Sequence, residues 1–301
     1  MRKSVIPGRS TRLGKLFSRP QRASIPVRII LVGSGAIMAA ALLIPAASGG
    51  YIATVTNSTN RAASATFFTC TAATLATGNN AYFAYRLNDS SLSLFADDYS
   101  SNATDGTYVL PMLSTTTTSP PCPRDTGSTN AYTPNGLLSM AYSPTAITSP
   151  NTFTLEIWFK TTVAGGYIMG LANTATGIST QKDRHLYLGT TGRLIFGVHS
   201  GSNRTVTSPQ RYDDGAWHQA IATLSAAGIM RLYVDGVMVG IFPGATPDLS
   251  YAGYWRIGQG NLSTWPVAPI NTYFSGQLRY AAAYPIELSA AQVAAHYVAG
   301  K

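Results

Sequence analysis

The chain has 301 residues, of which 45% are hydrophobic and only 11% are charged. Lys and Arg together number 21 against 12 acidic residues, which gives a formal net charge of +9. Eight of the basic residues precede residue 29 and every acidic residue follows it, so the rest of the chain carries 13 basic and 12 acidic residues. Nucleic-acid binding needs a basic surface on the folded part of a protein, and this charge distribution excludes it.

Residues 29–47 form an uncharged apolar run after a basic segment, residues 1–28. A helix of this length reaches about 28 Å, close to the ~30 Å hydrocarbon core of a bilayer. Because the basic residues flank only its N-terminal side, the positive-inside rule predicts that residues 1–28 are cytoplasmic and that the C-terminal part lies outside. The small residues 46–49 suit a signal peptidase, so two outcomes stay open: a single-pass membrane anchor, or secretion after cleavage of a signal peptide.

Residues 48–80 are rich in Thr and Ser and are predicted to be an extracytoplasmic linker or strand. They contain Cys70, and the second cysteine, Cys122, lies in a Pro/Thr/Ser-rich loop at residues 113–130. An even cysteine count in an oxidising compartment favours a Cys70–Cys122 disulfide, with two buried free thiols as the alternative. A metal pair would need His partners at short spacing, and the sequence has none there.

From residue 81 onward, short runs with alternating apolar residues recur between turn signals, such as the Asp-Gly pairs at 214–215 and 235–236. The final run instead predicts a helix, with Ser289 and Gln292 as a capping box and Gly300 as the stop. The predicted fold is therefore all-β: a two-sheet antiparallel sandwich over residues 81–301 with a short C-terminal helix, preceded by the transmembrane or signal helix. The predicted strands are 81–87, 106–110, 152–160, 166–172, 185–189, 193–199, 217–224, 229–235, 237–242, 254–258 and 273–284.

Six segments carry a family resemblance: FTLEIWFK, DRHLYLGTTGRLIFGV, YDDGAWHQAIATL, RLYVDGV, GYWRIG and YPIELSAAQVAAHY. In that order they resemble the laminin-G-like domains of the concanavalin A-like lectin/glucanase superfamily, of the type common in bacterial secreted and surface proteins. The resemblance covers residues 81–299 and implies a jelly roll at a bacterial envelope. In one departure, Arg279 and Tyr280 stand where these domains usually have an acidic pair, so we do not expect a calcium site at that end of the chain.

The segment DDYSSNATDGTY resembles the opening turn of the same family, and its carboxylates are the remaining calcium candidates. Asp97, Asp98 and Asp105 could bind calcium together with loop carbonyls. Asp and Asn side chains also close turns by accepting backbone N–H bonds, and this interpretation needs no metal. We expect no cofactor, with calcium as the alternative.

The superfamily also contains glycosidases, so a catalytic function has to be tested against the residues present. Retaining hydrolysis needs two carboxylates about 5 Å apart, and the only two glutamates, Glu156 and Glu287, cannot form the usual Glu-x-Asp-x-x-Glu motif on one strand. The four histidines are scattered and no Gly-x-Ser-x-Gly motif occurs. We interpret the cluster of Asp214, Trp217, His218 and Asp235 as structural, with Trp217 between the sheets. The chain is predicted not to be an enzyme.

The remaining class of function is recognition of a ligand, through a sheet face or through the loops at one edge of the sandwich. Sugars favour exposed aromatic side chains with polar groups nearby, and analogy at the level of the fold is the warrant for naming a glycan. We predict a surface recognition or adhesion module with an extracellular glycan or a surface protein as partner. A structural fibre protein and, last, a glycoside hydrolase are the alternatives. The candidate ligand-binding residues are Tyr187, Tyr212, Trp255, Asn261 and Trp265.

Overall fold

The computed structural model describes residues 55–56, 61–62, 66–76 and 80–301, and the apolar run 29–47 lies outside these residues. The regular secondary structure of the described residues consists mainly of strands. Its two helices are α1 (Cys70–Thr74) and α2 (Ala290–Ala299). The strands are β1 (Val55–Thr56), β2 (Arg61–Ala62), β3 (Phe83–Tyr85), β4 (Phe95–Ala96), β5 (Gly106–Tyr108), β6 (Ser114–Thr116), β7 (Asn130–Tyr132), β8 (Ala141–Tyr142), β9 (Ile147–Thr148), β10 (Phe153–Lys160), β11 (Gly166–Ala172), β12 (Lys182–Leu188), β13 (Arg193–His199), β14 (Asn203–Arg211), β15 (His218–Leu224), β16 (Met230–Val234), β17 (Val237–Phe242), β18 (Ala252–Ile257) and β19 (Gln277–Tyr284).

Two antiparallel sheets form the sandwich, and this confirms the predicted fold class. Sheet I has the order β17-β16-β15-β10-β19-β7-β6, with β3 paired to β19. Sheet II has the order β14-β13-β12-β11-β18-β8-β5-β4, with β9 paired to β18. Consecutive strands pair at one side of each sheet, as in β15-β16-β17, but central neighbours such as β10 and β19 come from distant parts of the sequence, which is the connectivity of a jelly roll.

The two Asp-Gly pairs have different roles in the fold. Asp235 and Gly236 have φ angles of 53° and 78° and connect the paired strands β16 and β17 as a two-residue hairpin, as predicted. Gly215 also has a positive φ, 81°, but it lies in the connection from β14 in sheet II to β15 in sheet I. The Asp214–Gly215 pair therefore marks the point where the chain crosses from sheet II to sheet I.

The core between the sheets is built from alternate residues of each strand. In β10 the side chains of Phe153, Leu155, Ile157 and Phe159 belong to this core, since successive residues of a strand point to opposite faces. Each large apolar side chain buried there contributes roughly 1.5–3 kcal/mol relative to exposure. The other face of β10 is buried as well, because α2 covers it, so the whole strand lacks an exposed face.

Helix α2 begins and ends as the sequence predicts. Ser289 accepts a hydrogen bond from the N–H of Gln292, whose side chain accepts one from the N–H of Ser289, and Gly300 follows the last turn. The ring of Tyr297 on this helix stacks on Trp158 at 5.9 Å between centroids. Trp217 packs partly buried against this same cluster on the outer face of sheet I, so its predicted position between the sheets was wrong.

The predicted disulfide is confirmed. Cys70 and Cys122 are bonded, with 5.7 Å between their Cα atoms. Cys70 begins α1, whose first N–H groups, those of Cys70 and Thr71, donate to the carboxylate of Asp125 at 2.9 and 3.2 Å. The C-terminal part of the segment 48–80 thus folds onto the sandwich. Among the residues described, no helix is both long and apolar enough to cross a membrane.

Candidate functional site

A cavity of about 320 Å³ opens at one end of the sandwich, between the two sheets. Its walls come from β3 of sheet I, from β9, β18 and the chain after β8 in sheet II, and from the turn between β4 and β5. Its volume lies at the lower end of the range for pockets that bind small molecules. The residues that line it are Tyr82, Phe83, Tyr85, Asn102, Thr104, Ser143, Pro144, Thr145, Ile147 and Trp255.

Aromatic side chains form one side of this cavity. Trp255, a predicted ligand-binding residue, is the one of the five candidates that lines it. Its ring is buried in the core and lies 6.5 Å from the half-buried ring of Tyr82, between centroids. The indole Nε1 of Trp255 is buried and has no hydrogen-bond partner among the described residues. A buried N–H without an acceptor loses free energy, and since this nitrogen has almost no accessible surface, packing leaves the donor unused.

The turn between β4 and β5 forms the opposite wall, and Asp98 holds it in place. The Asp98 carboxylate accepts hydrogen bonds from the N–H groups of Ala84, Ser100 and Thr104 at 2.9, 2.8 and 3.0 Å. The N–H of Asp98 donates in turn to Asp105 at 2.9 Å. These bonds are those of an Asx-type turn, and they fix the two cavity residues Asn102 and Thr104.

The calcium candidates do not form a preformed ligand cluster in the described residues. Within this described part of the chain, Asp97, Asp98 and Asp105 do not bring three potential ligand atoms within 4.8 Å of one another. The group that does so consists of Cys70, Cys122 and Asp125. The two sulfur atoms of that group are in the disulfide and do not serve as thiolate ligands. Calcium at the β4–β5 turn stays a prediction, and the hydrogen bonds there account for the Asp98 carboxylate without a metal.

Polar groups complete the cavity from three directions. Asn102 donates from Nδ2 to the carbonyls of Ala81 and Tyr82 at 2.8 and 3.2 Å, which joins the turn to the edge of sheet I. Ser143 Oγ accepts the N–H of Trp255 at 3.0 Å, so its own proton is free to be donated. Burial raises the pKa of Tyr82, so its phenol stays a hydrogen-bond donor at neutral pH.

The other four candidate residues lie elsewhere and are not exposed as expected. Tyr187 is buried on the outer face of sheet II and donates its hydroxyl to the carbonyl of Pro266 at 2.6 Å. Trp265 packs in the same cluster because the loop after β18 covers that face, and Asn261 of this loop donates to Ser179 at 3.4 Å. Tyr212 is buried in the main core, at 8% exposure. The expected common surface of exposed aromatic residues does not exist in this structure.

Glu156 lies in a buried network on the outer face of sheet I. Its carboxylate accepts hydrogen bonds from Gln219 Nε2 at 2.7 Å, from the Tyr284 hydroxyl at 2.7 Å and from His296 Nδ1 at 2.8 Å. Burial raises the pKa of Glu156, but the charge and hydrogen bond of His296 and the two further donors outweigh it and lower the pKa overall. This carboxylate therefore joins His296 of α2 to β10 and also connects β10 to its two neighbours in sheet I, β15 and β19.

The second glutamate and the histidine cluster are also engaged in structural contacts. Glu287 pairs with Arg231 of β16. His218 lies between two carboxylates, with Nδ1 2.7 Å from Asp235 and Nε2 3.1 Å from Asp214. Asp235 also accepts the N–H of Gln219 at 2.9 Å, so this cluster fastens the start of β15 to the β16–β17 hairpin.

A second, more open groove of about 410 Å³ lies at another edge of the sandwich. Hydroxyl groups and the single amine of Lys160 dominate its walls. Thr161 uses its hydroxyl within the protein, donating to the carbonyl of Ser275 at 2.5 Å. The groove lacks the aromatic side chains that the cavity beside Trp255 offers, and we therefore treat that cavity as the candidate site.

The fold and the cavity define a lectin-type jelly roll, and comparisons with known proteins agree with this class. A laminin G sequence model of the concanavalin A-like lectin/glucanases superfamily matches residues 125–294, which is more than half of the chain. The chain therefore belongs to this family. No curated protein matches the sequence.

Solved structures resemble the chain in fold at low sequence identity. The binding domain of botulinum neurotoxin serotype D has 11% identity and a TM-score of 0.51, over 73% of this chain and 52% of that one. The binding domain of Paraclostridial Mosquitocidal Protein 1 has 13% identity and a TM-score of 0.50, over 72% and 52%. The chain thus spans about half the length of these two binding domains. A Ruminococcus gnavus IT-sialidase CBM40 bound to α2,3-sialyllactose has 18% identity and a TM-score of 0.40, over 49% of this chain and 83% of that one.

Proposed function

We propose that this protein is a non-catalytic recognition module that binds a glycan in the cavity beside Trp255. The observation that carries the proposal is the lining of the cavity itself, which combines the half-buried ring of Tyr82 and further aromatic rings with hydroxyl groups. Sugars present apolar C–H faces and many hydroxyls, and such a lining complements both.

The absence of catalysis is part of the proposal and rests on the glutamates. Both carboxylates of the pair that a retaining glycosidase would need are held in structural contacts, Glu156 below α2 and Glu287 with Arg231. Neither residue lines the cavity. Release of reducing sugar by the protein, lost on changing Glu156 to Gln without loss of folding, would contradict this part.

A glycan array probed with the full chain in mild detergent tests the binding function. Tyr82→Ala removes one aromatic wall of the cavity, and we expect it to weaken binding at least tenfold. Tyr254→Ala is the matched control, because Tyr254 is also half-buried and adjoins Trp255 in sequence but does not line the cavity. Equal loss in both variants, or no binding to any glycan, would argue against the site.

For location, we propose that the sandwich lies outside the membrane of a bacterial envelope, with residues 29–47 as anchor or signal peptide. The charge asymmetry around that run and the disulfide of the sandwich support this placement. N-terminal sequencing of the mature protein, together with its partition into membranes, decides between anchor and secreted form. A reduced protein in the cytoplasm would contradict the placement.

A structural surface protein is the second candidate function, and one feature favours it. Strand β4 lies at the edge of sheet II, and Leu92, Leu94 and Phe95 expose large apolar side chains at it. Edge strands with exposed apolar residues promote pairing between copies. Sedimentation of the full chain over a concentration series tests this: filaments that Phe95→Lys abolishes would favour assembly over binding.

A further inference from the structure

The charge around the cavity bears on which glycans fit it. None of its ten lining residues is charged at neutral pH: they are tyrosines, a phenylalanine, a tryptophan, hydroxyl residues, an asparagine, a proline and an isoleucine. Among the described residues, no Lys or Arg lines the cavity. A carboxylate that enters the cavity would therefore lose water without gaining a cationic partner, which is unfavourable.

The nearest fixed charges behind the wall are negative. The Asp98 carboxylate bonds directly to the N–H of the lining residue Thr104 at 3.0 Å, and Asp105 accepts the N–H of Asp98 at 2.9 Å. Asp98 also lies opposite Tyr85, another lining residue, in a β-bridge. Burial, and after it the charges of Asp98 and Asp105, raise the pKa of Tyr85, so the field of the two carboxylates reaches the cavity.

The donors in the cavity suit hydroxyl groups. The Tyr82 phenol and the Ser143 hydroxyl are each a single neutral donor, whereas a carboxylate is best bound by the paired donors of an arginine. The arginine adjacent in sequence, Arg256, bonds away from the cavity, to the carbonyls of Thr174 and Gly177 at 2.9 Å.

We infer, resting on the proposed function, that the cavity selects a neutral sugar unit and discriminates against its carboxylate-bearing counterpart. The specificity arises from the uncharged aromatic lining in front and the Asp98 and Asp105 carboxylates behind. The phenol of the half-buried Tyr82 is the donor that recognises a sugar hydroxyl. Asp105 acts through the field and not by contact, since it does not line the cavity.

Matched sugar pairs test this inference on the full chain in mild detergent. Glucose and glucuronic acid, galactose and galacturonic acid, and mannose and mannuronic acid differ only by a carboxylate in place of a hydroxymethyl group. Binding is measured by calorimetry and by competition against the glycan found on the array. We expect at least one neutral sugar to bind tenfold or more tightly than its acidic partner at low salt, with a smaller ratio at high salt.

Two variants assign the effect to residues. Tyr82→Phe keeps the aromatic ring but removes the hydroxyl and should weaken binding of the neutral sugar at least fivefold, while Tyr254→Phe, equally half-buried but outside the cavity, should not. Asp105→Asn keeps the acceptor for the N–H of Asp98 but removes the charge. It should reduce the ratio of the affinity for the neutral sugar to that for the acidic sugar at least threefold. Asp213→Asn, beside Arg211 in the connection before β15, is its control.

The outcomes separate the two proposals. Binding of an acidic sugar equal to or tighter than its neutral partner, with sensitivity to Tyr82→Phe, overturns the neutral preference and leaves glycan binding at this cavity intact. Binding that Tyr82→Phe does not change, or no binding by any sugar, overturns the proposed site and the inference with it. A tenfold neutral preference that Asp105→Asn leaves unchanged overturns the role of the carboxylates.

Discussion

His296 and Glu156 form a buried ion pair, with Nδ1 of the helix residue 2.8 Å from Oε2 of the strand residue. Only 1% and 7% of the two side chains are exposed. The pair joins α2 to β10, which occupies the middle of sheet I between β15 and β19. Because its two members lie far apart in the sequence, the pair is a tertiary contact and a large part of what holds the C-terminal helix on the sandwich.

Replacing Glu156 should destabilise the protein strongly. Glu156→Ala leaves His296, Tyr284 and Gln219 without their common acceptor, and breaking a buried pair costs about 3–5 kcal/mol. Urea unfolding at pH 7 measures the change. The control is Glu287→Gln, whose pair with Arg231 is partly exposed and contributes about 1 kcal/mol or less.

The lowered pKa of Glu156 predicts that the folded protein loses stability in acid. Because the pKa of Glu156 is lowered in the folded state, its contribution to stability is present above the unfolded value, near 4.3, and is lost as the pH falls through the folded value. The wild-type protein should therefore lose more stability below pH 4.3 than Glu156→Gln does. Parallel loss in both proteins would show that Glu156 is not an acid-sensitive group.

His218 should give stability with the opposite dependence on pH. Burial lowers its pKa, but the hydrogen bonds and charges of Asp235 and Asp214 outweigh burial and raise the pKa overall. The contribution is therefore fully present below about 6.5, the unfolded value, and is lost as the pH rises through the folded value. His218→Gln should lower the free energy of unfolding by up to about 1 kcal/mol at pH 5.5, because solvent screens part of the pair, and by less at pH 9. A deficit that grows with pH would contradict this.

Loss of the disulfide should lower stability without changing the cavity. The bond between Cys70 and Cys122 spans 52 residues of sequence, and for such a loop the chain-entropy treatment gives about 4 kcal/mol. We expect Cys70→Ala/Cys122→Ala to lower the midpoint of urea unfolding at unchanged glycan affinity. The cavity residues lie outside the α1 contacts, so a tenfold loss of affinity in the folded variant would show a coupling that the structure does not contain.

Arg184 should be required for folding near neutral pH. Its guanidinium is buried and donates to Asp183 at 2.8 Å and to the carbonyl of Pro150 at 2.7 Å. Arg184→Met leaves the Asp183 carboxylate buried and unpaired, which costs about 3–5 kcal/mol. Thermal unfolding should show this deficit, while Arg204→Met on the edge strand β14 should stay within about 0.5 kcal/mol.

The loss of unfolding free energy caused by Arg184→Met should be smaller in acid. Burial raises the pKa of Asp183 to about 6 even with Arg184 present, and the group contributes least to stability above that value. Without Arg184 the protonated carboxyl is favoured still more strongly. The difference in unfolding free energy between the two proteins should therefore fall as the pH drops from 7 to 5, and a constant difference would contradict this.

The sequence by itself determined most of the long strands and the family, but not short strands such as β4 and β6–β9. The alternation of apolar residues gave β11, β13 and β17 with their observed ends, and local signals gave the cap at Ser289 and the Asp235–Gly236 hairpin. These features depend on neighbours within a few residues. Strand β14 was missed because its side chains are mostly polar and it contains Pro209, which is tolerated since β14 is an edge strand.

Tertiary structure alone decided the site. Alternation cannot tell which aromatic residues are exposed, since α2 and the loop after β18 cover outer faces of both sheets and bury Trp265 and Tyr187. The cavity joins Tyr82, Asn102 and Trp255 from distant segments, and the orphan N–H of Trp255 exists only because packing excludes an acceptor. Local sequence fixes which backbone conformation each segment prefers; which side chains meet depends on how the two sheets pair and pack.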